Sequence, residues 1–339
     1  MHFQKGSHMV KKEDIFQFPK AKWVLPFFAC HKDFCFRYVD LLAKATGDYS
    51  FVKCVYGSPA CKMNGGLLAR EIDEAEYLEE IDEWNKRGIP VWVTFSNYYI
   101  TLKEAIHDEK SQKILDRLNT NGSNYGVENG VILANDTMYK FIKHTYPNLK
   151  LIASVIRQTL LDHPYTLEDY KSLEDRYDII CISHHHNNKI MEWIEDLKDS
   201  ADKYEIMMNV HCLHGCSFVK RCYEWQCRKS LGLEKTSEDM EIFHYCPIIK
   251  HIEADLLVPE EHYTVLTQEE TKHLVDSGFY NLKLAGRHLN LAALKVVAYG
   301  WMLNPNYRDI VERVLFEKHN PKDRLTPLEG NLYFEGPKK

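Results

Sequence analysis

Short apolar segments alternate with amphipathic stretches along nearly the whole chain, and this alternation constrains the fold more than any other feature. Eight segments have the length and the β-branched or aromatic content of strands. They span residues 23–28, 51–56, 90–95, 131–134, 149–155, 178–183, 205–210 and 282–285. Helical stretches between them favour parallel strands joined by right-handed crossovers. Eight such units predict an α/β fold, a (β/α)8 TIM-like barrel, with an open doubly wound sheet as the alternative.

The length and composition predict one globular barrel with additions. The chain has 339 residues and a formal charge of −6, so its bulk charge does not indicate nucleic acid, and no apolar run is long enough to span a bilayer. We predict a tag-like or flexible N-terminus over 1–20, a single barrel domain over 21–305 and a C-terminal extension over 306–339 that ends in a linker-like segment. The barrel carries a cysteine-rich insertion after strand seven, at 211–259. Because no signal peptide is recognisable, a cytoplasmic location without a membrane partner is expected.

Polar side chains follow the predicted strands where each strand ends, and chemistry in a strand–helix barrel lies at those ends. The candidates in chain order are Asn97, Asn135, Asp136, Arg157, His184 and Arg287. Helix capping is the alternative role for each Asn or Asp, and an ordinary surface position is the alternative for each arginine. Two guanidinium groups at one rim would suit a carboxylate or phosphate, which arginine can bind through two parallel hydrogen bonds.

Ten cysteines are many for a cytoplasmic chain, and half of them lie between positions 212 and 246. Cys212 and Cys216 are close enough for one loop or helical turn to present both, and Cys246 with either Cys222 or Cys227 would complete four thiolates. Such a set fits a 4Fe–4S cluster or zinc, and the alternative is that these thiols are buried as small apolar groups.

Residues 184–186 are three consecutive histidines, and we favour substrate binding or proton transfer over metal binding for them. Adjacent residues of an extended chain point in opposite directions, so at most two of these rings could reach one ion.

Three stretches, Gly130 to Phe141, Tyr146 to Ser154 and Tyr280 to Arg287, resemble the collagenase-like peptidase family U32. The resemblance implies a barrel-like catalytic domain and, in many members, a cysteine-ligated iron–sulfur cluster. It also implies oxygen-independent hydroxylation rather than peptidase activity in the better-understood members. Arg287 matches the family's Gly-Arg signature, and Cys212 lies where the family places its first cluster cysteine. The chain departs from the family in having C-x3-C, rather than C-x6-C, after strand seven.

These observations lead to one functional hypothesis and two alternatives. The first is a U32-like enzyme with a 4Fe–4S cluster on Cys212, Cys216, Cys246 and either Cys227 or Cys222, acting on a small anionic, RNA or peptide-linked substrate. Its catalytic residues would be Asn135, Asp136 and His184, and its substrate-binding residues Asn97, Arg157 and Arg287. The second is a zinc-dependent or U32-type peptidase or hydrolase. The third is a non-catalytic binding protein with a structural metal.

Overall fold

The strands of a computed structural model close into a parallel barrel in the order β1 to β8, with β8 paired to β1. The structure describes residues 11–66, 72–160, 165–233, 236 and 264–316. The strands are β1 Lys22–Leu25, β2 Val52–Gly57, β3 Val91–Phe95, β4 Gly130–Leu133, β5 Lys150–Ala153, β6 Ile179–Ile182, β7 Tyr204–Met207 and β8 Asn281–Lys283. The predicted (β/α)8 barrel is therefore confirmed, and the open sheet is excluded.

Thirteen α-helices are described in the ranges given above. They are α1 Lys12–Ile15, α2 Lys32–Thr46, α3 Glu74–Lys86, α4 Leu102–Ile106, α5 Glu109–Tyr125, α6 Asp136–Thr145, α7 Val155–Thr159, α8 Leu167–Lys171, α9 Asn187–Leu197, α10 Val219–Ser230, α11 Gln268–Asp276, α12 Leu291–Met302 and α13 Pro305–Phe316. Two 3₁₀ segments, His184–His186 and Lys198–Lys203, flank α9. The cysteine-rich insertion begins after β7 and includes α10.

Helix α5 continues to Tyr125, although its sequence predicts a polar loop from residue 119. Asn121, within that stretch, is buried and donates a hydrogen bond from Nδ2 to Asp82 Oδ1 at 2.8 Å. Asp82 belongs to α3, which packs against α5. The tertiary contact compensates for the weak helix propensity of the Asn/Gly stretch. Gly126, in the left-handed conformation, then ends the helix.

The barrel interior contains apolar side chains and one buried ion pair. The apolar layer consists of Val24, Cys54, Tyr56, Trp92, Ile132, Ile152 and Ile179. Lys283 Nζ lies 2.6 Å from Glu205 Oε1, and both side chains are almost fully buried. The same ammonium lies 4.3 Å from the centre of the Tyr56 ring. Burial alone would lower the pKa of Lys283, but the adjacent carboxylate outweighs burial and raises it.

Contacts divide the chain into two compact units. One comprises Ala21–Cys30 and Val52–His288 and contains all eight strands. The described part of the other comprises 11–20, 31–51 and 289–316. Within it, Gln17 N donates to Met302 O at 2.9 Å, and Tyr299 OH donates to Glu312 Oε2 at 2.6 Å. The predicted single domain over 21–305 stays a prediction. None of the described helices is both long and apolar enough to cross a membrane.

Candidate active site at the carboxyl end of the barrel

The carboxyl ends of parallel strands meet at one end of a barrel, and the polar strand exits of this chain gather there. Among the described residues, the loops leaving the strands present Cys30, Ser58, Ser96, Asn97, Asn135, Ser154, His184, Cys212 and Arg287. Several of these side chains cap helices. Asn135 Oδ1 accepts from Met138 N at the start of α6, and Ser154 caps α7. The remaining candidates fall into a thiol group, an imidazole group and one guanidinium.

The thiols of Cys212 and Cys216 are hydrogen-bonded to each other in the loop between β7 and α10. This hydrogen bond raises the pKa of Cys212 and lowers that of Cys216 to about 6. The backbone N–H groups of Phe218 and Val219, where α10 begins, lower the pKa of Cys216 further. One proton is therefore shared by the pair at neutral pH, and Cys216 carries the negative charge.

The pH dependence of alkylation tests this assignment. In metal-free protein, the rate at which iodoacetamide modifies Cys216 should rise with a midpoint at pH about 6, because only the thiolate reacts. Cys212→Ala removes the hydrogen-bond donor and should move the midpoint upward, towards that of an ordinary thiol. Peptide mass spectrometry reads the modification at Cys216. A wild-type midpoint equal to that of a free cysteine would contradict the shared proton.

The other cysteines of the predicted cluster differ in their surroundings. Cys222 is near enough to Cys212 to raise its pKa through charge repulsion. Cys227 is fully buried with Ala134, Ile156 and other apolar side chains, and its Sγ lies 3.6 Å from the Gly65 carbonyl oxygen. Cys246 lies outside the described residues. The structure thus pairs Cys212 with Cys216, and Cys222 acts on Cys212 only through its charge.

Two histidines lie beside Cys212. His184 and His185 occupy a 3₁₀ turn rather than an extended chain, so their rings face each other with centroids 4.2 Å apart. One ring nitrogen of each, and the sulfur of Cys212, all lie within 4.8 Å of one another. Burial lowers the pKa of His184 well below its usual range and that of His185 to about 4, and the neighbouring rings add to both shifts. Both imidazoles are therefore neutral at physiological pH. The expectation that adjacent histidines diverge was wrong because it assumed an extended backbone.

Arg287, after β8, is half-buried and has no carboxylate partner among the described residues. Its guanidinium donates to the hydroxyls of Ser58 and Thr94 and lies 5.4 Å from the centre of the Tyr56 ring. Burial lowers its pKa, although arginine stays charged. A Cβ at Gly66 would lie 3.1 Å from Nη2 of Arg287, so the loop after β2 passes close to the guanidinium. A guanidinium without a carboxylate among the described residues is a candidate group for binding an anion.

The other predicted residues make their contacts within the protein. Arg157 Nη1 donates to Asp136 Oδ1 at 2.6 Å, and Arg176 donates to the same oxygen at 2.7 Å. Burial would raise the pKa of Asp136, but these two arginines outweigh burial and lower it. Asn97 is fully buried and donates to the carbonyl oxygens of Lys62 and Cys227. The roles predicted for Arg157, Asp136 and Asn97 stay predictions.

Several residues near the site have no distinctive sequence signal. Tyr223 of α10 is close enough to Cys212, Cys222 and Arg287 for their charges to interact with it, so it lies between thiols and guanidinium. His214, between the paired cysteines, has a buried Nδ1 without a partner. His214 could have been found from its position in the C-x3-C loop, between two candidate ligands. Tyr223 looks like any other helical tyrosine.

No family model and no curated protein matches this sequence. Among solved structures, the U32 peptidase Mk0906 matches over most of its length. This chain is similar in fold to a U32 peptidase. The two are 14% identical, the match covers 84% of this chain and 96% of the other, and the TM-score is 0.45. The likeness concerns the fold alone.

Proposed function

We propose that this U32-like barrel is a metalloenzyme with a 4Fe–4S cluster at its carboxyl end and an anionic substrate bound by Arg287. The observation that carries the proposal is the thiol pair of Cys212 and Cys216 on the same barrel end as the Arg287 guanidinium, which has no carboxylate partner in the described part of the chain. Thiolates are the ligands that iron–sulfur clusters use in proteins. The donor set therefore fits the group.

The proposed ligands are Cys212, Cys216 and Cys222, with Cys246 as the fourth. We favour Cys222 over Cys227 because Cys222 influences the Cys212 thiol, whereas Cys227 is enclosed by apolar side chains. For Cys227 to bind the cluster, α10 would have to lose its contacts with the loops that follow β3 and β4. One of these contacts is the hydrogen bond that Asn97 donates to the Cys227 carbonyl at 3.0 Å.

A 4Fe–4S cluster supplies electron transfer, or an iron that acts as a Lewis acid when one position is open. The protein's own contribution begins at Arg287, whose guanidinium would hold a carboxylate or phosphate of the substrate through charge-assisted hydrogen bonds. His184, neutral and buried, could accept a proton at an unpartnered nitrogen. We propose oxygen-independent hydroxylation for this arrangement: a substrate C–H bond would become C–OH, while a hydroxylated anionic cosubstrate would supply the oxygen atom and be reduced by two electrons.

Iron and sulfide analysis of anaerobically purified protein tests the proposal. We expect about four irons and four sulfides per chain and absorbance at about 400 nm. Cys212→Ser, Cys216→Ser and Cys222→Ser should each lose most of the iron. Cys227→Ala, the matched control on the same helix, should retain it. A colourless, iron-free wild-type protein would exclude the cluster, and iron loss in Cys227→Ala alone would exclude the ligand set.

A further inference from the structure

We infer that His184, His185 and Cys212 form a mononuclear site for a divalent transition-metal ion, with Zn²⁺ the best-suited ion. This inference goes beyond the proposed function, because the site needs no iron, sulfide, Cys216, Cys222 or Cys246. It shares one thiol with the proposed cluster, so the two are alternative occupants of the same barrel end. In iron-free protein the mononuclear site is the one that forms.

The geometry is close to that of a bound ion. Tetrahedral zinc with bonds of about 2.0 Å to nitrogen and 2.3 Å to sulfur holds its ligand atoms roughly 3.4–3.6 Å apart. The three candidate atoms already lie within 4.8 Å of one another. Small rotations of the side chains would suffice to close the site, and no backbone rearrangement is needed.

Unpartnered nitrogen atoms are the second, independent observation. His184 Nδ1 and His185 Nε2 are both buried and have no hydrogen-bond partner among the residues that the structure describes. A buried polar atom without a partner costs about 1–3 kcal/mol, so few are left in a folded protein without a reason. Each of the two rings that approach the Cys212 sulfur carries one such atom, and a cation bound between the rings would account for both. Imidazole and thiolate select zinc or cobalt over magnesium or calcium.

The turn that carries the His184 and His185 rings is supported by hydrogen bonds with Tyr170. Tyr170 OH donates to Gln158 Oε1 at 2.7 Å and accepts from the Ser183 backbone N–H at 3.0 Å. The same hydroxyl lies 2.9 Å from Nδ1 of His186, whose ring packs edge-on to Trp193. His186 thus faces the protein interior while its two neighbours face Cys212. Such supporting hydrogen bonds are what preorganises a metal site.

A fourth donor is close by. His214 lies between Cys212 and Cys216 in sequence, and its Nδ1 is buried without a partner. It is near enough to both rings of the pair to lower their pKa values by charge repulsion. His214 would be the fourth ligand of a tetrahedral ion. If His214 does not bind the ion, a water molecule can take the fourth position.

Cobalt binding tests the inference in the full chain, purified in air and stripped of metal with a chelator. One equivalent of Co²⁺ should produce d–d bands at about 550–700 nm and a thiolate charge-transfer band at about 350 nm, and Zn²⁺ should abolish both. His185→Ala and His184→Ala should each weaken binding at least tenfold. His107→Ala, at an exposed histidine, and Cys216→Ser should keep both bands. Urea unfolding of each metal-free variant shows whether it is folded, and half-buried His185 is the safer of the two substitutions.

The outcomes separate the two proposals. Absence of the cobalt bands in wild type, or their persistence in folded His185→Ala, would overturn the mononuclear site. Loss of the bands in folded Cys216→Ser would also overturn it, because the thiol pair would then be the ligand. Iron and sulfide in anaerobic His185→Ala should equal those of wild type. Absence of iron from anaerobic wild type would overturn the proposed cluster and leave the cobalt result standing.

Discussion

Lys283→Met is expected to lower the free energy of unfolding by about 3–5 kcal/mol, the usual cost of removing one partner from a buried ion pair. Glu205 is completely buried, and its Oε1 is paired with the Lys283 ammonium at 2.6 Å. Without the lysine, the barrel interior would hold either an uncompensated charge or a carboxyl group that must take up a proton. Urea denaturation followed by circular dichroism measures the change.

Two further variants make this test specific. The double variant Lys283→Met with Glu205→Leu should regain much of the loss, because an apolar pair of similar volume can replace a buried ion pair. Lys113→Met breaks an exposed pair with Glu74 and should leave the unfolding midpoint unchanged. A single Lys283→Met variant as stable as wild type would mean that the pair contributes nothing to the folded barrel.

Arg287→Met should stabilise the folded protein, in contrast to Lys283→Met, and should abolish anion binding. The guanidinium is half-buried, and no carboxylate of the described ranges pairs with it, so its removal should raise the free energy of unfolding by about 1 kcal/mol. Ser58 and Thr94 would still hydrogen-bond each other, and Thr94 also donates to the Gly57 carbonyl at 2.9 Å. Residues kept for function often reduce stability in this way.

Phosphate provides the binding probe for this variant. It should raise the thermal midpoint of wild type and have no effect on Arg287→Met, because a ligand stabilises only the state that binds it. Arg157→Met is the control. Because Arg157 already pairs with Asp136, it is not expected to bind phosphate, and the thermal midpoint of this variant should still rise with phosphate. Equal loss of the response in both variants would show that both arginines hold the anion. If phosphate still raises the thermal midpoint of Arg287→Met, Arg287 does not bind the anion.

Much of the fold was predictable because its signals are local. The apolar runs at 91–95 and 179–182 are strands within one residue of their predicted limits, and α12 begins and ends as expected. Helix α11 begins where Thr267 and Glu270 form a capping box, a signal contained in four consecutive residues. Cys54 and Cys181 were expected in the core from their positions within strands, and both are buried.

Other features could not be found in this way. The predicted loop after residue 119 is helical because α3 supplies a partner for Asn121, and that partner is 39 positions away. The His184–His186 turn is 3₁₀, and the hydroxyl of Tyr170 that supports it belongs to another helix. Local propensity is a weak constraint where a distant side chain provides the decisive hydrogen bond.

The amino-acid sequence alone determined the order and number of the eight strands and the placing of polar residues and thiols at strand ends. Those properties follow from periodicity over a few consecutive residues. Closure of the barrel decided which of these residues meet: Arg287 with Ser58, 229 positions apart, and His184 with Cys212. It also gave the two arginines different partners: Arg157 pairs with Asp136, and Arg287 with the hydroxyls of Ser58 and Thr94. Such distances depend on the register of eight strands at once, which no short stretch of sequence encodes.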